Sequence, residues 1–112
     1  MKSGVRYDWK RMLERDDILG SDTSCSYYPC HFEGQDCTWC FCPFYPCEVE
    51  RTGGRYVERA DGSGMVWSCM YCHWIHRSDV ARAVLRELKK LSSLDRESLL
   101  KVLHKLLEEY PP

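Results

Sequence analysis

The apolar positions along this chain change period twice, and each change marks a different kind of structure. Near the start, Val5, Trp9, Met12 and Leu13 fall at i, i+4, i+7 and i+8, one face of a short helix over residues 5–15, with Arg6, Asp8, Lys10, Arg11 and Glu14 opposite. A helix that short is marginal alone, so its stripe is expected to dock on the rest of the chain. Gly20-Ser21-Asp22-Thr23-Ser24 ends it in a loop. Residues 25–47 carry no period: Pro29, Pro43, Pro46 and the Gly34-Gln35-Asp36 turn signal leave room only for short strands and turns. Residues 48–68 read as a hairpin, with turns at Thr52-Gly53-Gly54 and Ala60-Asp61-Gly62-Ser63-Gly64. Arg55 to Arg59 alternate between them, and Met65-Val66-Trp67 lead into Cys69.

From Ser78 the period becomes helical. Ser78 is the expected N-cap, Asp79 stands in the first turn, and Val80, Val84, Leu88 and Leu91 run along one face. Ser92-Ser93 interrupt, and a second helix is expected from about Leu94 to Tyr110, stopped by Pro111 and Pro112. Its stripe is Leu99, Leu100, Leu103, Leu106, Leu107 and Tyr110; the two helices are expected to form an antiparallel hairpin. Beyond the cysteine pairs no internal repeat stands out. The fold class is therefore α+β: an irregular cysteine-rich core stabilised by metal, a short β-hairpin, an N-terminal helix and a C-terminal helical hairpin. The expected division is 1–22 for the N-terminal helix and loop, 23–90 for the cysteine-rich domain with the first C-terminal helix, and 91–112 for the final helix.

Composition explains why metal enters. Of 112 residues 44% are apolar, but that share includes eight cysteines, and the middle of the chain has few aliphatic side chains with which to build a core. Ordering such a segment costs about 1–2 kcal/mol per residue for the backbone, whereas a structural zinc site supplies roughly 10–16 kcal/mol in small fingers. The N-terminus runs straight into charged residues without the apolar region of a secretory signal, and no run approaches the roughly 18 apolar residues of a membrane span. A cytoplasmic location with reduced thiols and no membrane association is expected. A net charge of −1 gives no global field for nucleic acid, leaving only a local cluster at Arg51, Arg55 and Arg59.

The candidate ligands are Cys25, Cys30, Cys37, Cys40, Cys42, Cys47, Cys69 and Cys72. Cys37-x-x-Cys40 and Cys69-x-x-Cys72 have knuckle spacing, in which two thiolates from one turn reach one ion. Eight thiolates make two tetrahedral sets. A ribbon-like partition groups Cys37, Cys40, Cys69 and Cys72, leaving Cys25, Cys30, Cys42 and Cys47; it is preferred because it joins the two knuckles. The alternative is sequential, the first four and then the last four. Two zinc ions are the preferred cofactors, with iron or a [4Fe-4S] cluster as the alternative, since both take four cysteines and Cys42 is followed by Pro43. A disulfide framework is the third option. His31 and His73 each follow a cysteine and His76 lies nearby, so any of them could replace a thiolate or merely support one by hydrogen bonding; His104 has no partner. Cys69-Met70-Tyr71-Cys72-His73 also fits a haem-attachment signature, which would leave six cysteines unexplained.

The blocks Tyr28-Pro29-Cys30-His31-Phe32-Glu33-Gly34-Gln35-Asp36-Cys37, Cys40-Phe41-Cys42-Pro43-Phe44-Tyr45-Pro46-Cys47 and Trp67-Ser68-Cys69 through Cys72 to Trp74-Ile75-His76-Arg77 resemble the cysteine-rich small domain family, also called zinc-finger-like, over about residues 23–90. The resemblance implies a metal-binding module of the kind common in methanogenic archaea and some anaerobic bacteria. Such modules occur alone or fused to threonine-phosphate decarboxylase-like enzymes of cobamide assembly, and the same eight cysteines are the ligands it implies. The function expected is a structural or protein-interaction module, with a protein partner engaged through the C-terminal helices and no independent catalysis. An iron-sulfur redox or accessory protein is the second class. Nucleic-acid binding through Tyr27, Phe32, Trp39, Phe44 and Tyr45 with Arg51, Arg55, Arg59 and Arg77 is the third and least favoured. Gly53-Gly54 and Gly62-x-Gly64 are too short for a phosphate loop.

Overall fold

The computed structural model describes residues 9–29, 31–40 and 42–112. The first described element is a 3-10 helix, Trp9–Glu14, which falls within the helix expected over 5–15; residues 5–8 of that expectation, Val5 among them, lie outside the described residues. Asp16 and Asp17 follow it at the end where a helix favours cations, which discourages continuation. Asp17 instead accepts from the Ile18 N–H (2.8 Å) and pairs with Arg82 (3.0 Å). The expected docking does occur: Trp9 meets Trp39 edge-on, with centroids 6.4 Å apart, and Met12 and Leu13 pack on the core.

Among its described residues the cysteine-rich stretch contains turns and bends only, with cis peptide bonds at Tyr28-Pro29 and Tyr45-Pro46. A 3-10 turn, Glu50–Thr52, precedes a two-stranded antiparallel sheet of β1 (Arg55–Glu58) and β2 (Met65–Ser68), with Tyr56 opposite Trp67 and Val57 opposite Val66. Of this polar hairpin only Trp67 is buried, and Trp67 braces it on the cysteine region. Its carbonyl accepts from the Tyr45 hydroxyl (2.8 Å), and its ring lies where a Cβ on Gly54 would stand, 2.5 Å away. Gly53, at φ +102°, approaches the second cysteine knuckle as closely: a Cβ there would meet the Tyr71 carbonyl oxygen at 2.6 Å.

A 3-10 turn, Trp74–His76, leads from that knuckle into α1 (Ser78–Lys89), which is followed by α2 (Arg96–Glu109). Ser78 is the first residue of α1 rather than its cap. Arg77 occupies the cap position without a side-chain bond, and the Asp79 carboxylate takes the Val80 N–H (2.8 Å) while pairing with Arg77 (2.9 Å). Asp95, next to the expected start at about Leu94, caps α2 by accepting from the Ser98 N–H at 3.2 Å. Val80, Ala81, Val84 and Leu88 of α1 and Leu99, Leu103, Leu106 and Leu107 of α2 join Trp39, Phe44, Trp74 and Ile75 in one core. Two indoles fasten the metal-candidate region to the helices: Trp39 donates to the Ala81 carbonyl (3.1 Å) and Trp74 to that of Tyr110 (2.6 Å). Among the described residues no helix is long and apolar enough to cross a membrane.

Candidate metal centre

Each knuckle is a tight turn closed by its own backbone. The Cys40 N–H bonds the Cys37 carbonyl (3.3 Å) and the Cys72 N–H that of Cys69 (3.0 Å). The first knuckle is held by buried polar side chains that the sequence reading took for a simple turn signal. The Asp36 carboxylate, 1% exposed, accepts from the Gly20 and Thr38 N–H groups at 2.8 Å each, and Thr38 Oγ1 accepts from the Leu19 N–H. Gln35 Oε1 accepts from the His31 N–H at 2.8 Å, and the Asp22 N–H donates to Cys37 Sγ at 3.3 Å. Cys25 heads a neighbouring turn, its carbonyl accepting from the Tyr28 N–H at 3.0 Å; Cys30 lies outside the described residues.

Around the second knuckle, Cys42, Cys47, Cys69 and Cys72 border one cavity of about 10 Å³ whose remaining walls include Phe44, Thr52, Trp74, Ile75 and Leu103. The ribbon-like partition expects Cys37 and Cys40 as the partners of Cys69 and Cys72. The cavity is instead lined by Cys42 and Cys47 beside Cys69 and Cys72, the grouping that the sequential alternative expects. A larger cavity of about 470 Å³ adjoins it, bordered by Cys40, Cys42, Cys69 and Cys72 with Trp9, His31, Trp39 and His76. Three thiols are common to both, so the fourth member decides the set. Cys40 is exposed and borders only the larger cavity, whereas the half-buried Cys47 borders the smaller one.

Burial raises the pKa of Cys42, Cys69 and Cys72, and the neighbouring cysteines raise each further, Cys69 to about 11. Thiolates here need a cation to neutralise them, and a coordinating metal removes the thiol proton outright. N–H groups are already aimed at the sulfurs: Phe44 N–H to Cys42 Sγ (3.4 Å) and Val49 N–H to Cys47 Sγ (3.5 Å), with the Trp74 and Ile75 N–H groups favouring the Cys72 thiolate. Trp67 Nε1 is buried without a partner of hydrogen-bond geometry, yet it lies beside Cys69 and its N–H pulls that thiol's pKa back down. A neutral thiol is a weak acceptor; a thiolate would satisfy this donor. The donor set thus fits a thiophilic cation. Among the described residues, however, no three Cys, His, Asp or Glu side chains already stand in a ligating arrangement. The four sulfurs border their cavity without converging on it.

The three histidines that the sequence left separate come together. His31 Nδ1 stands 3.1 Å from His73 Nδ1, and its ring stacks on His76 with centroids 4.1 Å apart. Burial, with the His76 and His73 charges adding to it, pushes the His31 pKa down to about 4, and burial lowers that of His76, whose Nδ1 lies 3.2 Å from the Asp36 carbonyl oxygen. No sequence signal joins positions 31 and 73. His104 is exposed on α2. Of the aromatic residues proposed for base stacking, Trp39 and Phe44 are 1% and 2% exposed and belong to the core; Arg51 pairs with Glu108, and Arg55 lies over the Tyr71 ring.

Residues 17–98 match the zf-like family, described as a cysteine-rich small domain. The chain belongs to this family. It is 50% identical over 101 residues to an uncharacterized protein of Methanocaldococcus jannaschii, covering 88% of this chain and 81% of that one. It is also 50% identical over 74 residues to a "probable cobalt-factor III C(17)-methyltransferase" of Methanothermobacter thermautotrophicus, covering 66% of this chain and 20% of that protein. The cysteine-rich small domain thus matches a fifth of a longer protein named as a methyltransferase, consistent with the expectation that such modules also occur fused to enzymes of cobamide assembly. No solved structure matches the chain.

Proposed function

We propose that this cysteine-rich small domain binds two zinc ions through its eight cysteines as structural centres, and that it serves as a non-catalytic module engaging a protein partner. The observation that carries the reading is the group of four cysteines, Cys42, Cys47, Cys69 and Cys72, around a cavity of about 10 Å³. Space of that order holds one small particle, which favours a single ion over a cluster of four irons. Bound zinc would neutralise the four thiolates, and the chain's own part is to present them, donate N–H groups to the sulfurs and seal the site with Phe44, Trp74, Ile75 and Leu103. Four-thiolate zinc sites leave no position open for a reacting water, which supports a structural role.

The same reading places the domain beside enzymes of cobamide synthesis, on the strength of the named methyltransferase that contains a matching segment, and in the cytoplasm, where such thiols stay reduced. The leucine stripe of α2 is consumed in the core, so a partner would meet the polar faces of the helices. Elemental analysis of protein purified without oxygen tests the metal: two zinc ions per chain are expected. Brown protein with broad visible absorbance and iron in place of zinc would overturn the assignment in favour of a cluster, and a metal-free folded protein would overturn it altogether.

A further inference from the structure

The two cysteine knuckles are each preceded by the same short sequence, and the hydrogen bonds around them repeat. Cys25-Ser26-Tyr27-Tyr28-Pro29-Cys30 and Cys42-Pro43-Phe44-Tyr45-Pro46-Cys47 share the form Cys-x-aromatic-Tyr-Pro-Cys, and each is followed by a Cys-x-x-Cys pair. In both, the tyrosine N–H bonds back to the carbonyl of the first cysteine, at 3.0 Å for Tyr28 on Cys25 and 3.3 Å for Tyr45 on Cys42. In both, the tyrosine hydroxyl ties down the backbone that leads into the following knuckle. Tyr28 accepts from the Gly34 N–H at 2.7 Å, three residues before Cys37, and Tyr45 donates to the Trp67 carbonyl at 2.8 Å, two residues before Cys69. Both knuckles then close with the same N–H to carbonyl bond between their cysteines. The units differ in the connection: Cys37 follows Cys30 by seven residues, whereas Cys69 follows Cys47 by twenty-two. The extra length is the β1–β2 hairpin, an insertion in the second unit.

We infer that the cysteine-rich region is one metal-binding unit used twice in tandem, so that one ion belongs to Cys25, Cys30, Cys37 and Cys40 and the other to Cys42, Cys47, Cys69 and Cys72. This rests on the metal-binding reading above. Cys30 enters by its sequence correspondence with Cys47; the second set stands on the shared cavity. A tyrosine in each unit acts as a strut that sets its two cysteine pairs at a fixed separation. Cys40 of the first unit and Cys42 of the second border the same larger cavity, and the tandem arrangement assigns them to different ions, which load and empty separately.

The native protein tests this without substitution. Zinc-loaded protein is treated with limiting EDTA in the presence of N-ethylmaleimide, and intact chains that have lost one ion are fragmented to locate their labels. The expected result is four labels all within residues 1–41 or all within residues 42–112. Two labels on each side would overturn the tandem arrangement in favour of the ribbon-like one while leaving metal binding intact, and loss of both ions in one step would overturn the independence of the halves. Labelling of all eight cysteines before EDTA is added would instead refute the metal-binding reading itself, and the tandem sites with it.

Discussion

Replacing Gly53 by alanine strikes the contact between the hairpin and the second cysteine knuckle. Gly53 sits at φ +102°, a conformation that alanine adopts at a cost of about 1–2 kcal/mol. Its Cβ would also stand 2.6 Å from the Tyr71 carbonyl oxygen and 3.2 Å from Cys72 Cα. Neither is the tip of a flexible side chain, so the knuckle backbone itself must move, and forced overpacking of this kind costs about 1–3 kcal/mol more. The total is about 2–5 kcal/mol. Gly62 is the matched control, because it lies at φ +74° with nothing within 4 Å of the would-be Cβ; Gly62→Ala should carry only the conformational part. Thermal unfolding of the two variants by circular dichroism should then differ by about 4–12 °C, at roughly 4 °C per kcal/mol for a chain of this size. Metal analysis should show Gly53→Ala retaining one ion more firmly than the other, while Gly62→Ala retains both like the parent. Equal melting temperatures and equal metal retention for the two variants would refute the argument that the Gly53 backbone seats the knuckle.

Three further outcomes follow from single contacts. Trp67→Phe removes the indole N–H beside Cys69, and supporting groups of this kind are worth about 10–100-fold in metal affinity; competition against a chromophoric chelator should register that loss at one site, and unchanged affinity would mean that the indole does not serve the thiolate. Leu106→Ala, at a position 0% exposed in α2, should cost about 2–5 kcal/mol in urea unfolding, and a cost under about 0.5 kcal/mol would show that the helix packs elsewhere in solution. Glu87, 8% exposed, is pushed upward in pKa by burial, but hydrogen bonds from Lys105 and Arg86, and then Lys90, outweigh this and leave it below the usual value of 4.5. Because its folded pKa is the lower one, its contribution is fully present above the unfolded pKa and is lost as pH falls through the folded value. Glu87→Gln should therefore lose about 1 kcal/mol near neutral pH, the partners being half exposed, with the gap to the parent closing at acid pH; a gap independent of pH would contradict this.

The two C-terminal helices were legible because their information is local. Val80, Val84 and Leu88, and Leu99, Leu103 and Leu106, recur at the helical period, and that period alone states which side chains share a face. The sheet was legible from its glycine-rich turns, although Glu50–Thr52 proved to be a 3-10 turn, and the described part of the expected N-terminal helix is the 3-10 helix Trp9–Glu14. The cysteine spacings supplied the candidate ligands and their number, and the order of the chain already contained the unit Cys-x-aromatic-Tyr-Pro-Cys twice. The repeat is obscured in the sequence because the second copy is separated from its knuckle by the β1–β2 hairpin.

By itself, then, the sequence determined the elements whose residues lie within a turn or two of one another, the candidate ligand types, and the membership of the cysteine-rich small domain family. Only the tertiary structure decided which distant groups meet: Cys42 and Cys47 with Cys69 and Cys72, His31 with His73 and His76, and the Asp36 carboxylate with the backbone of Gly20. Periodicity reports the face a side chain occupies on its own element. It carries nothing about which element will stand opposite, because that depends on loops, on the path they take around a shared core, and on buried polar groups finding the particular donors that satisfy them.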